Sequence, residues 1–241
     1  MTQVIKERTR GHIERGDGTE PPSRTVSRQP TSSAMQSVLA RLWYAVLWSP
    51  CWAISQIYFR YRYSGRGNVP RTGPVLLVAN HQSHLDPVLV GIACPRQLKY
   101  LARQGLFFWP FSLWIRSLGA VAIDRERGSI GGIKTTLRLL SQEYAVVVFP
   151  EGSRTPDGRL HSLLPGFCLL ARRSGATVVP VAIDGAYKAM PRGSLFPLPE
   201  PIGLVFGPPI RKEEVDGWSD KQLIEVVTDR IARGLSQLKR Q

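Results

Sequence analysis

The chain has 241 residues, 43% of them apolar, enough to bury the core of one α/β domain with appendages. Thirty-two Lys and Arg against eighteen Asp and Glu give a net charge of +14, which favours anionic partners such as phospholipid headgroups, phosphorylated substrates or nucleic acid. Cys51, Cys94 and Cys168 are too few and too scattered for a disulfide framework or a CxxC metal site, and they fit a reducing compartment.

Residues 1–34 are rich in Arg, Ser, Thr, Gly and Pro and almost lack aliphatic side chains, so they cannot offset the entropy of ordering and read as a disordered tail. Glu7, Glu14, Asp17 and Glu20 argue against an acid-poor transit peptide there. Residues 35–63 carry Trp43, Trp48, Trp52 and four tyrosines, aromatics that suit the headgroup boundary of a bilayer. Within the eighteen residues from Leu42 to Phe59, Ser49, Pro50, Ser55 and Gln56 interrupt the apolar run, whereas a spanning helix needs about 20 predominantly apolar positions. A bent, interfacial helix pair is therefore expected ahead of a true span, and both ahead of a soluble core helix. Basic residues on both flanks give no orientation.

Residues 64–241 form the third part. From about Gly73, short apolar runs alternate with helical segments: "PVLLVAN", "KYLA", "GAVAID", "AVVVFP", "TVVPVAI" and "GLVFG". Continuous Val and Ile runs suit strands buried on both faces, so the expected fold is α/β, a mainly parallel, mixed sheet flanked by helices. Ser129 is a candidate cap for a helix whose Ile130, Ile133, Leu137 and Leu140 recur at helical spacing. Near the C-terminus Ser219 and Gln222 have capping-box spacing, and Leu223, Val227, Ile231, Leu235 and Leu238 form one apolar face.

The run "NHQSHLDP", residues 80–87, follows the strand "VLLVAN", where an α/β sheet releases its chain into a loop and chemistry usually sits. Asp86 comes five residues after His81, and on a straight helix those five steps turn its side chain about 140° away. Contact thus requires a loop that curls into a helix, with Asp86 near the cap and Pro87 early in the helix. Such a contact holds one ring nitrogen protonated and leaves the other as a base toward an alcohol, worth roughly 10²–10⁴-fold in rate. No G-x-S-x-G elbow supplies a serine nucleophile, so the base is expected to act on a bound hydroxyl. His81, His84 and Asp86 are also conceivable metal ligands, but of the four histidines His12 lies in the tail and only His161 remains, so a further ligand is short and no metal is expected. His84 alone reads as a loop or packing residue.

"FPEGSRT", Phe149 to Thr155, leaves the strand "AVVVFP" at the His81 edge if the strands are parallel, so that Glu151 and Arg154 line one pocket. Gly152 allows close backbone approach, and the Arg154 fork suits a phosphate; alone, the run would read as a salt-bridged surface turn. "GAVAIDRERG" presents Asp124, Arg125 and Arg127; Arg125 is placed beside Arg154 on a phosphate, and Arg127 in solvent. "GSIGGIKT" nearly spells a Walker A loop, but Ile133 occupies the second glycine position and blocks backbone approach.

In this order and at these intervals, "NHQSHLD", "AIDRERG", "FPEGSRT" and "VVPVAI" resemble the four motifs of the glycerolipid acyltransferases typified by 1-acyl-sn-glycerol-3-phosphate (lysophosphatidic acid) acyltransferase, over roughly residues 64–212. The resemblance implies transfer of an acyl group from acyl-CoA or acyl carrier protein to a lysophospholipid hydroxyl, foremost that of 1-acyl-sn-glycerol-3-phosphate to give phosphatidic acid, without a metal or any cofactor beyond the acyl donor. It implies His81 as base, Asp86 as its orienting partner, Arg125 and Arg154 on the acceptor phosphate, Glu151, Gly152 and Ser153 shaping the acceptor site, and Pro180 in the acyl-side motif. It also implies a membrane surface as partner, no nucleic acid, and a place at the cytoplasmic face of a membrane. One departure is visible: where the family commonly shows a run resembling "FKKG", this chain reads "SLLPGF", with Pro165 before Gly166. Another lysolipid or an amino-lipid acceptor is accordingly an alternative, ahead of a metal-dependent hydrolase using His81, His84 and Asp86, and of a basic binding module without catalysis.

Overall fold

A computed structural model describes residues 46, 48–106, 115–116, 118–123 and 128–240. The expected tail, the first part of the aromatic segment and Asp124 to Arg127, hence Arg125, lie outside the described residues. The apolar runs become strands β1 (Arg62–Ser64), β2 (Val75–Ala79), β3 (Leu98–Arg103), β4 (Ala120–Ile123), β5 (Ala145–Val148), β6 (Thr177–Asp184) and β7 (Gly203–Phe206). The helices are α1 (Asp86–Ala93), α2 (Gly128–Ser141), α3 (Gly166–Ser174), α4 (Ala186–Ala189), α5 (Lys212–Gly217) and α6 (Asp220–Leu238), and residues 48–58 are also helical.

Among the described residues the strands form one seven-stranded sheet in the order β1-β7-β6-β2-β5-β3-β4. β6, β2, β5, β3 and β4 are mutually parallel, whereas β7 runs antiparallel to β6 and parallel to β1. The mixed, mainly parallel sheet expected from the sequence is therefore present. All five residues of β2 are buried, and alternate residues feed two cores. Val75, Leu77 and Ala79 join Leu89, Val90, Phe59 and Tyr61 on one face. Leu76 and Val78 join Phe167, Leu170, Val227 and Ile231 on the other. This two-sided cover is what continuous Val and Leu runs require.

Pro180 sits buried inside β6, opposite Val78. Proline is tolerated in mid-sheet only where its missing N–H leaves no ladder bond unmade. Val178 exchanges hydrogen bonds with Ile210 on the β7 side, and the Pro180 carbonyl accepts from Gly207 N–H (2.8 Å). The absent donor thus faces the short excursion through Pro208 and Pro209, where the neighbouring chain leaves the ladder.

The capping box forms as expected: Ser219 Oγ accepts from Gln222 N–H (3.3 Å) and Gln222 Oε1 accepts from Ser219 N–H (2.8 Å). Leu223, Val227 and Ile231 are fully buried, and Gly234 lets α6 approach β6, since a Cβ there would lie 2.6 Å from that of Ala182. Two expectations are corrected. Helix α2 starts at Gly128, one residue before the supposed cap Ser129, and Ile130 is 77% exposed. The rest of the expected face holds: Leu140 is buried and Ile133 and Leu137 pack against the core, joined there by Leu139, and Thr136 is buried as well. Arg62 and Tyr63, assigned from sequence to the aromatic segment, belong to the sheet as part of β1. Among the described residues no helix is long and apolar enough to cross a membrane.

Candidate active site

Because β2, β5 and β6 are parallel, their carboxyl ends, with residues 80–86, 149–155 and 185–190 beyond them, meet at one sheet edge. Asn80 extends β2 by one step: its Oδ1 accepts from Ile183 N–H (2.8 Å) and its Nδ2 donates to the Ile183 carbonyl (2.9 Å), a side-chain amide standing in for a peptide. The chain then curls into α1, with Asp86 as its first residue and Pro87 next. Asp86 is wholly buried, and its Oδ2 accepts from Gln82 N–H (2.6 Å), Ser83 N–H (2.8 Å) and His81 Nδ1 (2.8 Å). Its Oδ1 has no hydrogen-bond partner among the described residues. The curl inferred from the five-residue spacing is thus the observed one. A carboxylate only accepts, so Nδ1 is the donor in this contact, and in a neutral ring that tautomer leaves the lone pair on Nε2.

The "FPEGSRT" turn clamps His81 on both sides of its main chain. Glu151 Oε1 accepts from His81 N–H (2.9 Å), and Thr155 N–H donates to the His81 carbonyl (2.8 Å). The Phe149 ring stacks on the imidazole, centroids 4.1 Å apart and planes 23° from parallel. Gly152 turns the chain at φ +75°, the left-handed region where a side chain is strained. Glu151 Oε2 accepts from His161 N–H (3.4 Å). Burial pushes the Glu151 carboxyl up from its usual range, against the two N–H donors that lower it. The contacts of Glu151 are therefore to the main chain of His81 and His161, which makes it a positioning residue in this structure.

Two further participants, Gln82 and Ser83, stand inside the first motif without a spacing that marks them. Gln82 Nε2 donates to the Gly158 carbonyl (3.1 Å) and its Oε1 accepts from Tyr187 N–H (3.2 Å), while the Ser83 hydroxyl donates to the Met190 carbonyl (2.9 Å). The available signal was polarity beside a buried strand, since buried polar groups need partners.

Arg154 is half-buried and its guanidinium is held below its ordinary pKa, first by burial and then by the charge of Arg192. His84 is held below its ordinary value by burial, then by the charges of Arg154 and His81, with Asp86 acting in the opposite sense. Losing a nearby cation eases protonation, so Arg154→Gln is expected to raise the pKa of His84 toward that of a free imidazole. An NMR titration of the histidine ring checks this, and an unmoved midpoint would separate the two residues. Ser153 is exposed on the same turn. Pro180 is not brought to this group: it lies four residues before the end of β6. β4 ends at Ile123, two residues before Arg125.

For the metal alternative, His81 Nδ1 and Asp86 Oδ2 are engaged with each other, and among the described residues no group of three His, Cys, Asp or Glu side chains is placed to hold an ion.

The chain as a whole is similar to known proteins. The model of the family described as Acyltransferase matches residues 60–184, spanning β1 to the end of β6. This chain belongs to that acyltransferase family. Among its relatives, the chloroplastic 1-acyl-sn-glycerol-3-phosphate acyltransferase LPAT1 of Arabidopsis thaliana is 34% identical over 149 residues, 59% of this chain and 42% of the relative. The 1-acyl-sn-glycerol-3-phosphate acyltransferase of Streptococcus pneumoniae is 31% identical over 166 residues, 68% of this chain and 60% of the relative. The chain thus spans about half the length of such relatives. The crystal structure of the 1-acyl-sn-glycerophosphate acyltransferase PlsC from Thermotoga maritima aligns with a TM-score of 0.74 at 25% identity, covering 86% of this chain and 83% of that one.

Proposed function

We propose that this acyltransferase moves a fatty acyl group from acyl-CoA or acyl carrier protein to the free hydroxyl of 1-acyl-sn-glycerol-3-phosphate at a membrane surface, giving phosphatidic acid. The observation that carries the reading is the 2.8 Å contact between His81 Nδ1 and the buried Asp86 Oδ2, which leaves Nε2 available as a base. The acceptor hydroxyl gives its proton to Nε2 as its oxygen attacks the thioester carbonyl, and Asp86 stabilises the imidazolium. Collapse of the tetrahedral species breaks the C–S bond, and the thiolate leaves with that proton. The scheme involves no acyl-enzyme, metal or cofactor beyond the donor.

Arg154, beside His84 and Arg192, is the described cation suited to the acceptor phosphate, with Arg125 as its assigned companion. Ser153 and Gly152 line the acceptor side, and Pro180 supports the acyl-side strand. The names of the relatives support the lysophosphatidate acceptor. A second reading rests on the run "SLLPGF", where Leu164, 56% exposed, and Pro165 stand before Gly166 in place of a run resembling "FKKG": another lysolipid or an amino-lipid as acceptor. Thiol release by the purified chain, scanned over lysophosphatidate, zwitterionic lysolipids and amino-lipids with both donor types, tests both readings. Thiol release matched by phosphatidic acid supports the first. Thioester cleavage that ignores every acceptor overturns both.

A further inference from the structure

A second apolar element stands at the active-site edge, and the chemistry above leaves it unused. Between α4 and β7 the chain reads "PRGSLFPLP", residues 191–199, and Leu195 is 84%, Phe196 79% and Leu198 55% exposed. Single exposed apolar residues need no explanation, but three within four positions, in a stretch with no charge from Gly193 to Pro199, do. The run is also fixed in shape. Ser194 N–H donates to the Pro191 carbonyl (3.1 Å), the Ser194 hydroxyl to the Phe196 carbonyl (2.8 Å), and Leu198 N–H to the Ala189 carbonyl (2.6 Å). Pro191, Pro197 and Pro199 restrict it further.

This loop is tied to the helix of residues 48–58. The Tyr58 hydroxyl donates to the Pro197 carbonyl (2.9 Å), and the Arg60 guanidinium donates to that of Pro199 (3.4 Å). The helix turns Trp52 (51%), Ile54 (56%) and Ile57 (82%) to the outside, and no charged residue occurs from Trp48 to Phe59. Topology explains the meeting. Because β7 and β1 run against β6, both begin at the edge where β2, β5 and β6 end, with Gly203 opposite Asp184 and Arg62 opposite Gly203. The helix that leads into β1 and the loop that leads into β7 therefore lie at the His81 edge. Arg60, Lys188 and Arg192, all exposed, border the loop, while Glu200, next in the chain, is half-buried.

We propose that residues 194–198 are a membrane-insertion loop, which enters an anionic bilayer beside the helix of residues 48–58 and fixes the height of His81 over the lipid surface. The inference rests on the reading that the acceptor is a lipid. Side chains exposed to this degree protrude rather than line a groove, and bordering cations match anionic headgroups. An acidic carrier protein would engage those cations and leave Leu195 and Phe196 idle. The loop is coupled to the site through α4: Tyr187 N–H reaches Gln82, and the Met190 carbonyl holds Ser83.

The test uses the full chain with Phe196→Cys in a Cys51→Ser background, labelled with an environment-sensitive fluorophore; Cys94 and Cys168 are buried. On phosphatidylcholine–phosphatidylglycerol vesicles, at about 7:3 so that the surface is anionic, the label should shift to the blue and be quenched from within the lipid. The same label at Glu213→Cys on α5 should stay in water. Replacing Leu195, Phe196 and Leu198 together by serine should weaken vesicle binding about tenfold or more. Thiol release with vesicle-embedded acceptor should fall in step, while release with short-chain, water-soluble acceptor and donor stays within about twofold. A label that remains in water while the chain binds vesicles overturns the proposal. So does vesicle-free self-association that the triple serine variant abolishes, because the face would then join two copies. If no acceptor gives thiol release, the functional reading fails, and the position of the label still decides this one.

Discussion

His81→Ala is expected to lower acyl transfer by about 10²–10⁴-fold, the range a positioned general base supplies, with little change in fold. The second half of that expectation comes from how His81 is held. Glu151 and Thr155 grip its main-chain N–H and carbonyl, so both hydrogen bonds survive loss of the ring. What disappears is the stacking on Phe149, worth about 0.5–1.5 kcal/mol, and one of three donors to Asp86. Thermal unfolding by circular dichroism, read beside thiol release, separates the two effects. Near-normal turnover in a folded variant would falsify the role given to His81.

Asp86→Asn is expected to damage both activity and stability, and that combination distinguishes it from His81→Ala. If the new carbonyl oxygen takes the place of Oδ2, it keeps three N–H donors, but the amide nitrogen then occupies the position of Oδ1, which has no partner among the described residues. The reverse orientation points the amide at three donors. Either way a buried donor is left unsatisfied, at a cost of about 1–3 kcal/mol, visible as a lowered unfolding midpoint. Activity falls as well, by about 10²–10³-fold, because a neutral amide stabilises a developing imidazolium less well than a carboxylate. Since the two side chains act as a unit, the double variant should be scarcely less active than His81→Ala alone. Additive losses would mean that Asp86 works independently of the ring.

The legible parts of this molecule were those set by local chemistry. Continuous Val and Leu runs announced strands covered on both faces, Ser219 and Gln222 announced the start of α6, and the spacing from His81 to Asp86 demanded a curl into α1. The relation between the first and third motifs was legible only as proximity. That Glu151 and Thr155 hold the main chain of His81 depends on an approach across 70 and more residues, which no spacing rule encodes. Leu195 and Phe196 are silent in the sequence for a different reason: an apolar pair in a proline-rich loop has no periodicity to mark it, and its meaning comes from Tyr58, 139 residues away from the carbonyl it binds. The reversal of β7 was equally hidden, since a four-residue apolar run fits either direction.

The wiring around His81 also dictates when in folding it becomes a competent group. Its immediate neighbours in the chain provide Asp86, but Asn80 finds Ile183, Gln82 finds Tyr187 and Ser83 finds Met190 at separations of 103, 105 and 107 residues. Contacts so remote form only after the loop-closure entropy of the intervening chain has been met. A nascent chain that has emerged as far as α3 would hold both members of the dyad and yet lack every one of those three anchors. The loop that carries the imidazole therefore gains these three anchors only once β6 docks beside β2, and a polypeptide truncated before Ile183 should carry the motif without them.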